Sequence, residues 1–240
     1  RDLLDAFAWV REHADDYGID QRRISLFGFS AAGHLCASAT ALAMEERPDV
    51  LPNALVLGYP VISFSRDVTQ EGSFRALTGG DESLRERLSV EHLVRDGFPP
   101  TFDWACEDDD TVPCENVELL ASALEAQGSS HDCRVYPTGG HGCGLAFHAS
   151  AWDWAPRALE FLRSRSPGKG DRLTWKRGQV VFPGSSRQRV ERDRVGRHCP
   201  VKLSSRVRWG HSAHAWVDVV ATNAAHVAFV RYNSAYACAP

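Results

Sequence analysis

A serine, a histidine and a run of acidic residues occur along the chain in an order that suits nucleophilic acyl transfer. Ser30 lies in a segment of small residues, His141 lies between two glycines, and the acidic run occupies residues 107–110. A serine hydroxyl attacks a carbonyl carbon well only when a base takes its proton, and a histidine base must itself be oriented by an acid. The candidate chemistry is therefore hydrolysis of an ester or an amide through a covalent acyl intermediate.

The elements that must position these residues alternate between strand and helix. Apolar residues recur at helical spacing from 2 to 17, before Gly18, and predict a first helix over those residues. Short apolar runs predict buried strands at 24–29, 54–58, 101–105 and 133–136. Further helices are predicted at 31–45, 114–127 and 151–164. This alternation predicts an α/β fold with a parallel sheet and helices on both faces.

Between residues 60 and 100 the alternation gives way to short pieces, with helical turns predicted at 73–77 and 82–88. We interpret this stretch as an insertion above the carboxyl ends of the strands, where open α/β sheets bind ligands. Residues 71–74 within it could line a pocket for an acyl group or a sugar, or could lie in a solvated loop.

The predicted elements place Ser30 on a tight turn between a strand and a helix. Such a turn lifts a serine hydroxyl out of the sheet and needs small neighbours, which Gly28, Ala32 and Gly33 supply. The usual motif has glycine where Ala32 stands, so its methyl group is a departure that could strain the turn. The amide of Ala31 would open the helix and act as an oxyanion donor, strengthened by the helix dipole. The alternative role of Ser30 is that of a helix cap.

The acid and the base each follow a predicted strand. One helix and one strand separate residues 107–110 from His141, as a single crossover between neighbouring parallel strands requires. Asp109 is favoured among the four acids. A buried acid at this position requires a turn that leads the chain back into the next helix, and Val112 and Pro113 supply such a turn. Asp108 is the alternative. Glycines on both sides leave His141 free to turn inward, although a histidine between glycines can also be an ordinary loop residue.

These segments resemble the α/β-hydrolase carbohydrate esterases of the acetyl xylan and feruloyl esterase-like group. The resemblance covers roughly residues 1–164 and is carried by the first helix through Gly33, the segments 58–62 and 71–73, the acidic turn before Pro113 and the segment 140–142. It implies an α/β-hydrolase fold and a triad of Ser30, Asp109 and His141, with the acid four residues before Pro113. It also implies that acetyl or similar acyl groups are removed from sugars without a cofactor.

Two features depart from this resemblance. Such hydrolases begin with several strands and a His-Gly-Gly loop that donates a second oxyanion amide, whereas nothing in this chain precedes the first helix. We therefore expect a partial catalytic domain over 1–164 that lacks its N-terminal strands, with the second donor outside this chain. The second departure is the segment 165–240, which is unlike the family.

Charge divides the chain at the same point. Residues 1–164 hold 13 arginines, no lysine and 27 acidic residues, a balance of −14, whereas residues 165–240 hold 14 basic and 4 acidic residues, a balance of +10. The basic tail, with its arginine-rich run at 187–197, could bind a polyanion or form a small β module. It could also be disordered or out of frame, which its abundant arginine and only two leucines favour.

The composition of the chain excludes several classes of protein. With 240 residues, 43% of them hydrophobic and 24% charged, it is not collagen, a coiled coil or a disordered chain. No membrane span or signal peptide is visible, although the chain begins without Met and a leader could have been lost. Seven cysteines without a CxxC pair predict neither a disulfide framework nor a metal site, and they slightly favour the reducing cytoplasm.

Two other functions are compatible with the same residues. A peptidase related to prolyl oligopeptidases would share the order of the triad, and a non-catalytic binding module would use the truncated sheet as a scaffold. The partner is expected to be a small-molecule or carbohydrate ester, without a membrane or nucleic acid, and the oligomeric state stays open. His34 is expected to pack within the core rather than to serve as a second site residue. Phe102 and Trp104 are expected to be core residues of a strand, with the wall of an aromatic subsite as the alternative.

Overall fold

A computed structural model describes residues 1–17, 19–165, 174–176, 179–181, 202–209, 213–221 and 226–233. Its first strands are β1 (Ile24–Phe29), β2 (Ala54–Gly58), β3 (Thr101–Cys106) and β4 (His131–Tyr136). Its helices are α1 (Asp2–Glu12), α2 (Ala31–Glu46), α3 (Glu71–Thr78), α4 (Arg85–Leu88), α5 (Glu115–Ala126) and α6 (Trp154–Ser164). Beyond residue 165 lie β5 (Thr174–Lys176), β6 (Gln179–Val181), β7 (Lys202–Trp209), β8 (Ala213–Ala221) and β9 (His226–Asn233).

Strands β1 to β4 form a parallel sheet in reverse chain order. The seven-stranded order is β4-β3-β2-β1-β9-β8-β7, with β9 parallel to β1 and with β8 antiparallel to both β7 and β9. Strands β5 and β6 form a separate antiparallel pair. Because parallel strands run in one direction, the carboxyl ends of β1, β3 and β4 lie at one edge of the sheet, which is where Ser30, the acidic run and His141 begin.

Helices cover both faces of the sheet, as predicted. On one face α1, α2 and α5 bury Leu26, Leu55 and Leu57 of the strands. On the other face α6 packs over Phe27, Val56, Phe102 and Trp104. Burial on both faces explains why β2 and β3 have uninterrupted buried runs rather than an alternation of apolar and polar residues.

The first helix is shorter than predicted. It ends at Glu12, and Asp15–Tyr17 form a separate 3-10 turn. Asp15 and Asp16 would sit at the negative end of the helix dipole if the helix continued, which disfavours continuation. Ala14 is still fully buried, so the apolar spacing that predicted a longer helix reflects a buried turn at this point.

Other boundaries differ by a few residues. The predicted helix at 151–164 begins as a 3-10 turn, Ser150–Asp153, and becomes α6 only at Trp154, with Pro156 in its first turn, where proline is tolerated. The predicted turn at 73–77 is part of the longer α3, which is capped by Gly79 in the left-handed conformation. The predicted turn at 82–88 divides into a 3-10 turn, Glu82–Leu84, and α4.

The insertion between β2 and β3 is organised around a buried arginine. The guanidinium of Arg85 bonds Glu71 at 2.9 Å and Glu82 at 2.7 Å, and it lies 3.9 Å from the ring centroid of Phe74. Phe74 is fully buried in a cluster with Val61, Phe64 and Val112. Phe74 is therefore a core residue of the insertion, whereas Glu71 and Gly72 of the same segment are exposed, and all three lie in α3 rather than in a loop.

Two expectations from the sequence concern membrane-spanning helices and the basic segment 165–240. In the part that the structure describes, no helix has the length and apolarity needed to cross a bilayer. The arginine-rich run at 187–197 lies outside the described residues. The division of the chain into a catalytic part, 1–164, and a basic tail, 165–240, stays a prediction.

Candidate active site

Ser30 occupies a strained backbone turn between β1 and α2. Its φ of 56° and ψ of −128° lie outside the regions that residues with a side chain ordinarily adopt. Such a conformation costs on the order of 1–3 kcal/mol and persists only where the surroundings impose it. Here the Ser30 amide donates to the Gly58 carbonyl at 3.0 Å, and its carbonyl accepts from Gly33 at 2.9 Å.

The glycines of this turn are required by close contacts. A Cβ atom on Gly28 would lie 2.5 Å from the carbonyl oxygen of Ala32, and a Cβ atom on Gly33 would lie 2.4 Å from Cβ of Pro60. The methyl group of Ala32, where the usual motif has glycine, is buried among the apolar side chains beneath α2. The turn therefore brings strand, helix and the loop after β2 close together around Ser30.

The hydroxyl of Ser30 faces a histidine from the loop after β4. Ser30 Oγ lies 2.8 Å from His141 Nε2, and His141 Nδ1 lies 2.8 Å from Asp109 Oδ2. Because an ionised carboxylate can only accept, the proton on Nδ1 is directed at Asp109, and Nε2 is left with a lone pair for the serine proton. The hydroxyl makes no capping bond to α2, so its partner in this structure is the imidazole.

The environment of Asp109 favours its charged form. Burial opposes ionisation, but hydrogen bonds from His141 and from the amides of Val112 and Thr111 outweigh it and lower the pKa of Asp109. Both amides donate to Oδ1 at 2.9 Å, which leaves Oδ2 for the histidine. The Asp109 side chain is 0% exposed and that of His141 is 20% exposed, so only the histidine of this pair reaches toward solvent.

Asp108, the alternative acid, has a different set of partners. Its carboxylate accepts from the backbone amides of Gly139 and Gly140 and makes no bond to the His141 ring. Those backbone bonds, Gly140 first, lower the pKa of Asp108. Asp110, one residue beyond Asp109, is exposed and accepts from the Thr111 hydroxyl at 3.1 Å. The structure therefore brings Asp109 to the histidine ring and Asp108 to the histidine loop.

Tyr59 is a site residue that sequence reasoning did not single out. Its ring meets His141 edge-on, with the ring centroids 4.9 Å apart, and it also packs on Trp104 and Phe29. Burial raises the pKa of Tyr59 to about 12. Its φ of +37° marks a constrained turn directly after β2. The glycine and proline that flank Tyr59 were the available signal for a special turn at this place.

The amide of Ala31 lies at the start of α2, next to Ser30. The first four amides of a helix have no partner within the helix, and the helix dipole makes this end electropositive. α2 is 16 residues long and begins at Ala31. This amide can therefore stabilise negative charge on an oxygen bound near Ser30 Oγ.

The other residues considered in the sequence lie in the core. His34 is buried, its Nε2 lies 2.7 Å from the Leu88 carbonyl oxygen, and burial lowers its pKa. Phe102 and Trp104 are fully buried on the α6 side of the sheet. Within the ranges that the structure describes, no three His, Cys, Asp or Glu side chains are grouped so that they could hold a metal ion. Cys199 and Cys238 lie outside the described residues.

Comparison with protein families identifies the fold. The family model described as alpha/beta hydrolase fold matches residues 1–145, which carry β1 to β4, Ser30, Asp109 and His141. The chain therefore belongs to this α/β-hydrolase family.

Individual relatives share the same part of the chain. An acetylxylan esterase of Xylanibacter ruminicola is 32% identical over 150 residues, which are 60% of this chain and 31% of that protein. Endo-1,4-beta-xylanase B of Butyrivibrio fibrisolvens is 34% identical over 171 residues, 66% of this chain and 27% of that protein. The acetyl ester-xyloside bifunctional hydrolase of Caldicellulosiruptor lactoaceticus superposes with a TM-score of 0.62 at 34% identity, over 68% of this chain and 64% of that one. This chain thus spans about a third or less of the two curated relatives.

Proposed function

We propose that this chain carries the catalytic residues of a serine esterase that removes acyl groups, acetyl in the first place, from carbohydrate or other small-molecule esters. The observation that supports it best is the unbroken series of contacts from Ser30 Oγ to His141 Nε2 and from His141 Nδ1 to Asp109 Oδ2, each 2.8 Å long. Three residues from the carboxyl ends of three parallel strands meet in this series, although 111 positions separate Ser30 from His141.

In the proposed reaction Ser30 Oγ attacks the ester carbonyl carbon while His141 Nε2 takes the hydroxyl proton. The carbonyl π electrons move to oxygen, and the amide of Ala31 donates a hydrogen bond to the oxyanion. Asp109 keeps the Nδ1 proton in place and stabilises the positive charge on the imidazolium without taking its proton. A donor outside the described residues would complete the oxyanion site.

Collapse of the tetrahedral intermediate then expels the alcohol. The oxyanion electrons return to form the carbonyl, the bond to the alkoxy oxygen breaks, and His141 Nε2 gives its proton to that oxygen. Water attacks the acyl-serine with the same base and the same donor, releasing the carboxylic acid and restoring Ser30. The bonds that form and break involve only Ser30, His141, the ester and a water molecule, and none of these steps requires a cofactor.

The proposed substrate class is inferred from the names of the relatives. The names of two of them mention acetyl groups: one is an acetylxylan esterase, and the other is an acetyl ester-xyloside bifunctional hydrolase. We therefore propose an acetylated sugar or oligosaccharide as the first substrate to test. Neither the peptidase nor the binding-module alternative has a comparable observation in its favour.

The test compares hydrolysis of p-nitrophenyl acetate and release of acetate from acetylated xylan by the wild type and two variants. Ser30→Ala is expected to lower kcat at least about a thousandfold, because the nucleophile is lost. Ser38→Ala is the control, since Ser38 lies on the same helix and its hydroxyl donates, among the described residues, to the backbone carbonyl of Leu35. Equal hydrolysis by the wild type and Ser30→Ala would refute the proposal.

A further inference from the structure

The loop that carries His141 is bound through its backbone by a carboxylate from the turn after the neighbouring strand, β3. Asp108 Oδ1 accepts from the amides of Gly139 at 2.9 Å and Gly140 at 2.7 Å, and Oδ2 accepts from Gly139 at 3.1 Å. These two amides belong to the two residues that directly precede His141. Hydrogen bonds to an ionised acceptor are roughly twice as strong as neutral ones.

The glycines of this loop make its conformation next to His141 costly to fix. It contains glycine on both sides of His141, and Gly140 and Gly142 adopt φ values of +62° and +71°. Glycine loses more conformational freedom than other residues when it is ordered, so such a segment is costly to hold in one shape. At Gly139 the loop also approaches β3 closely, because a Cβ atom there would lie 2.6 Å from Cys106 Sγ.

Asp108 and Asp109 bind different parts of the segment that carries His141. Asp109 accepts a hydrogen bond from the imidazole ring, whereas Asp108 accepts from the backbone amide directly before His141 and so restrains the position of the His141 main chain. The Asp109 bond acts on the ring and does not itself hold the main chain of the loop. Asp108 and Asp109, both in the turn after β3, therefore restrain the main chain and the ring of His141 separately.

We propose that Asp108 is a positioning residue, whose carboxylate binds the amides of Gly139 and Gly140 so that the His141 imidazole stays within hydrogen-bond distance of both Ser30 and Asp109. It does not touch the reacting atoms and acts through His141. The part of this inference that concerns catalysis rests on the proposed function. The part that concerns the His141 ring can be tested without any substrate.

The kinetic test uses two variants of Asp108 and a matched control. Asp108→Ala removes every acceptor and is expected to lower kcat for p-nitrophenyl acetate about 10- to 100-fold, because a base displaced by about 1 Å loses that much. KM is expected to change less than about twofold, since substrate contacts are untouched. Asp108→Asn keeps an Oδ1 acceptor for both amides and should recover most of kcat. Asp110→Ala removes a neighbouring charge of the same sign and should match the wild type.

A spectroscopic test separates this inference from the proposed function. The proton on His141 Nδ1 gives a downfield NMR resonance when it is bonded to a carboxylate, and His141→Gln assigns that resonance. We expect it to broaden or vanish through solvent exchange in Asp108→Ala and to persist in Asp108→Asn, Asp110→Ala and Ser30→Ala. Circular dichroism establishes that each variant is folded.

The outcomes are distinct. An unchanged resonance in folded Asp108→Ala, or a kcat within about twofold of the wild type in a chain whose hydrolysis depends on Ser30, would overturn the positioning role. Hydrolysis that does not depend on Ser30 would instead overturn the proposed function, and the resonance would then decide the role of Asp108 by itself.

Discussion

The carboxylate of Asp109 joins two loops through its two oxygens. Oδ1 accepts the amides of Thr111 and Val112 in its own turn, and Oδ2 lies 2.8 Å from His141 Nδ1 on the loop after β4. The first set of bonds fixes the orientation of the carboxylate, so that the second oxygen is presented to the histidine. This arrangement allows the effect of replacing Asp109 by asparagine to be predicted.

Replacing Asp109 by Asn is expected to lower kcat/KM about 10³- to 10⁴-fold with little loss of stability. The Asn Oδ1 can keep the Thr111 and Val112 amides, which places its N–H groups toward His141 Nδ1. The imidazole would then carry its proton on Nε2 and could not accept the serine proton. Ester hydrolysis by Asp109→Asn and by the exposed control Asp110→Asn measures this. A loss below about tenfold would show that the tautomer of His141 does not depend on Asp109.

Asn116 is expected to be a strong determinant of stability. It is buried, its Oδ1 accepts the amides of Ile62 and Ser63 at 2.8 and 2.9 Å, and its Nδ2 donates to the carbonyls of Val68 and Pro113 at 3.1 and 2.9 Å. It therefore ties the insertion to the turn that carries Asp109.

Asn116→Ala leaves two buried amides without an acceptor and is expected to lower the free energy of unfolding by about 2–4 kcal/mol. Urea denaturation measures this, with Ser122→Ala as the control because Ser122 is exposed on the same helix, α5. The control is expected to change stability by less than about 0.5 kcal/mol. Equal stabilities of the two variants would show that the Asn116 bonds are replaced by water.

Asp103 is expected to make stability depend on pH. It lies fully buried on β3, and within the described residues neither of its carboxyl oxygens has a hydrogen-bond partner. Burial, with a contribution from Asp132, raises the pKa of Asp103 well above its usual value. The folded state therefore holds a proton that the unfolded chain releases near pH 4.

The folded state binds one more proton than the unfolded chain at pH values between about 4 and the folded pKa of Asp103. The contribution of Asp103 to the free energy of unfolding is therefore fully present below about pH 4 and is lost as the pH rises toward that folded pKa. Asp103→Asn cannot release a proton, so the stability of the variant relative to the wild type should increase with pH above about 4. Denaturant titrations at several pH values measure this difference, with the exposed Asp96→Asn as control. A difference that is constant with pH would mean that Asp103 is ionised in the folded protein.

Much of the fold follows from the sequence because its signals are local. The strands β1 and β2 have the predicted bounds, and the parallel sheet with helices on both faces is confirmed. The end of α1 could not be predicted from periodicity, since Ala14 is buried in a turn as completely as it would be in a helix.

The candidate site was predictable to the extent that each residue follows a strand. The chain order of Ser30, Asp109 and His141 implied a meeting at one edge of the sheet, and the structure brings the three together. The bonds of Asp108 to amides 31 and 32 positions away and the packing of Tyr59 on His141 could not be predicted, because they depend on tertiary contacts that no local pattern records.

The central claim is that Ser30 is a nucleophile activated by His141, and covalent labelling with a fluorophosphonate tests it most directly. The reagent transfers its phosphonyl group to an activated serine with loss of fluoride, and mass spectrometry of peptides locates the adduct. We predict one adduct, on Ser30, that is absent from Ser30→Ala, strongly slowed in His141→Gln and unchanged in Ser38→Ala. A chain that stays unlabelled, or that is labelled equally fast in His141→Gln, would contradict the account.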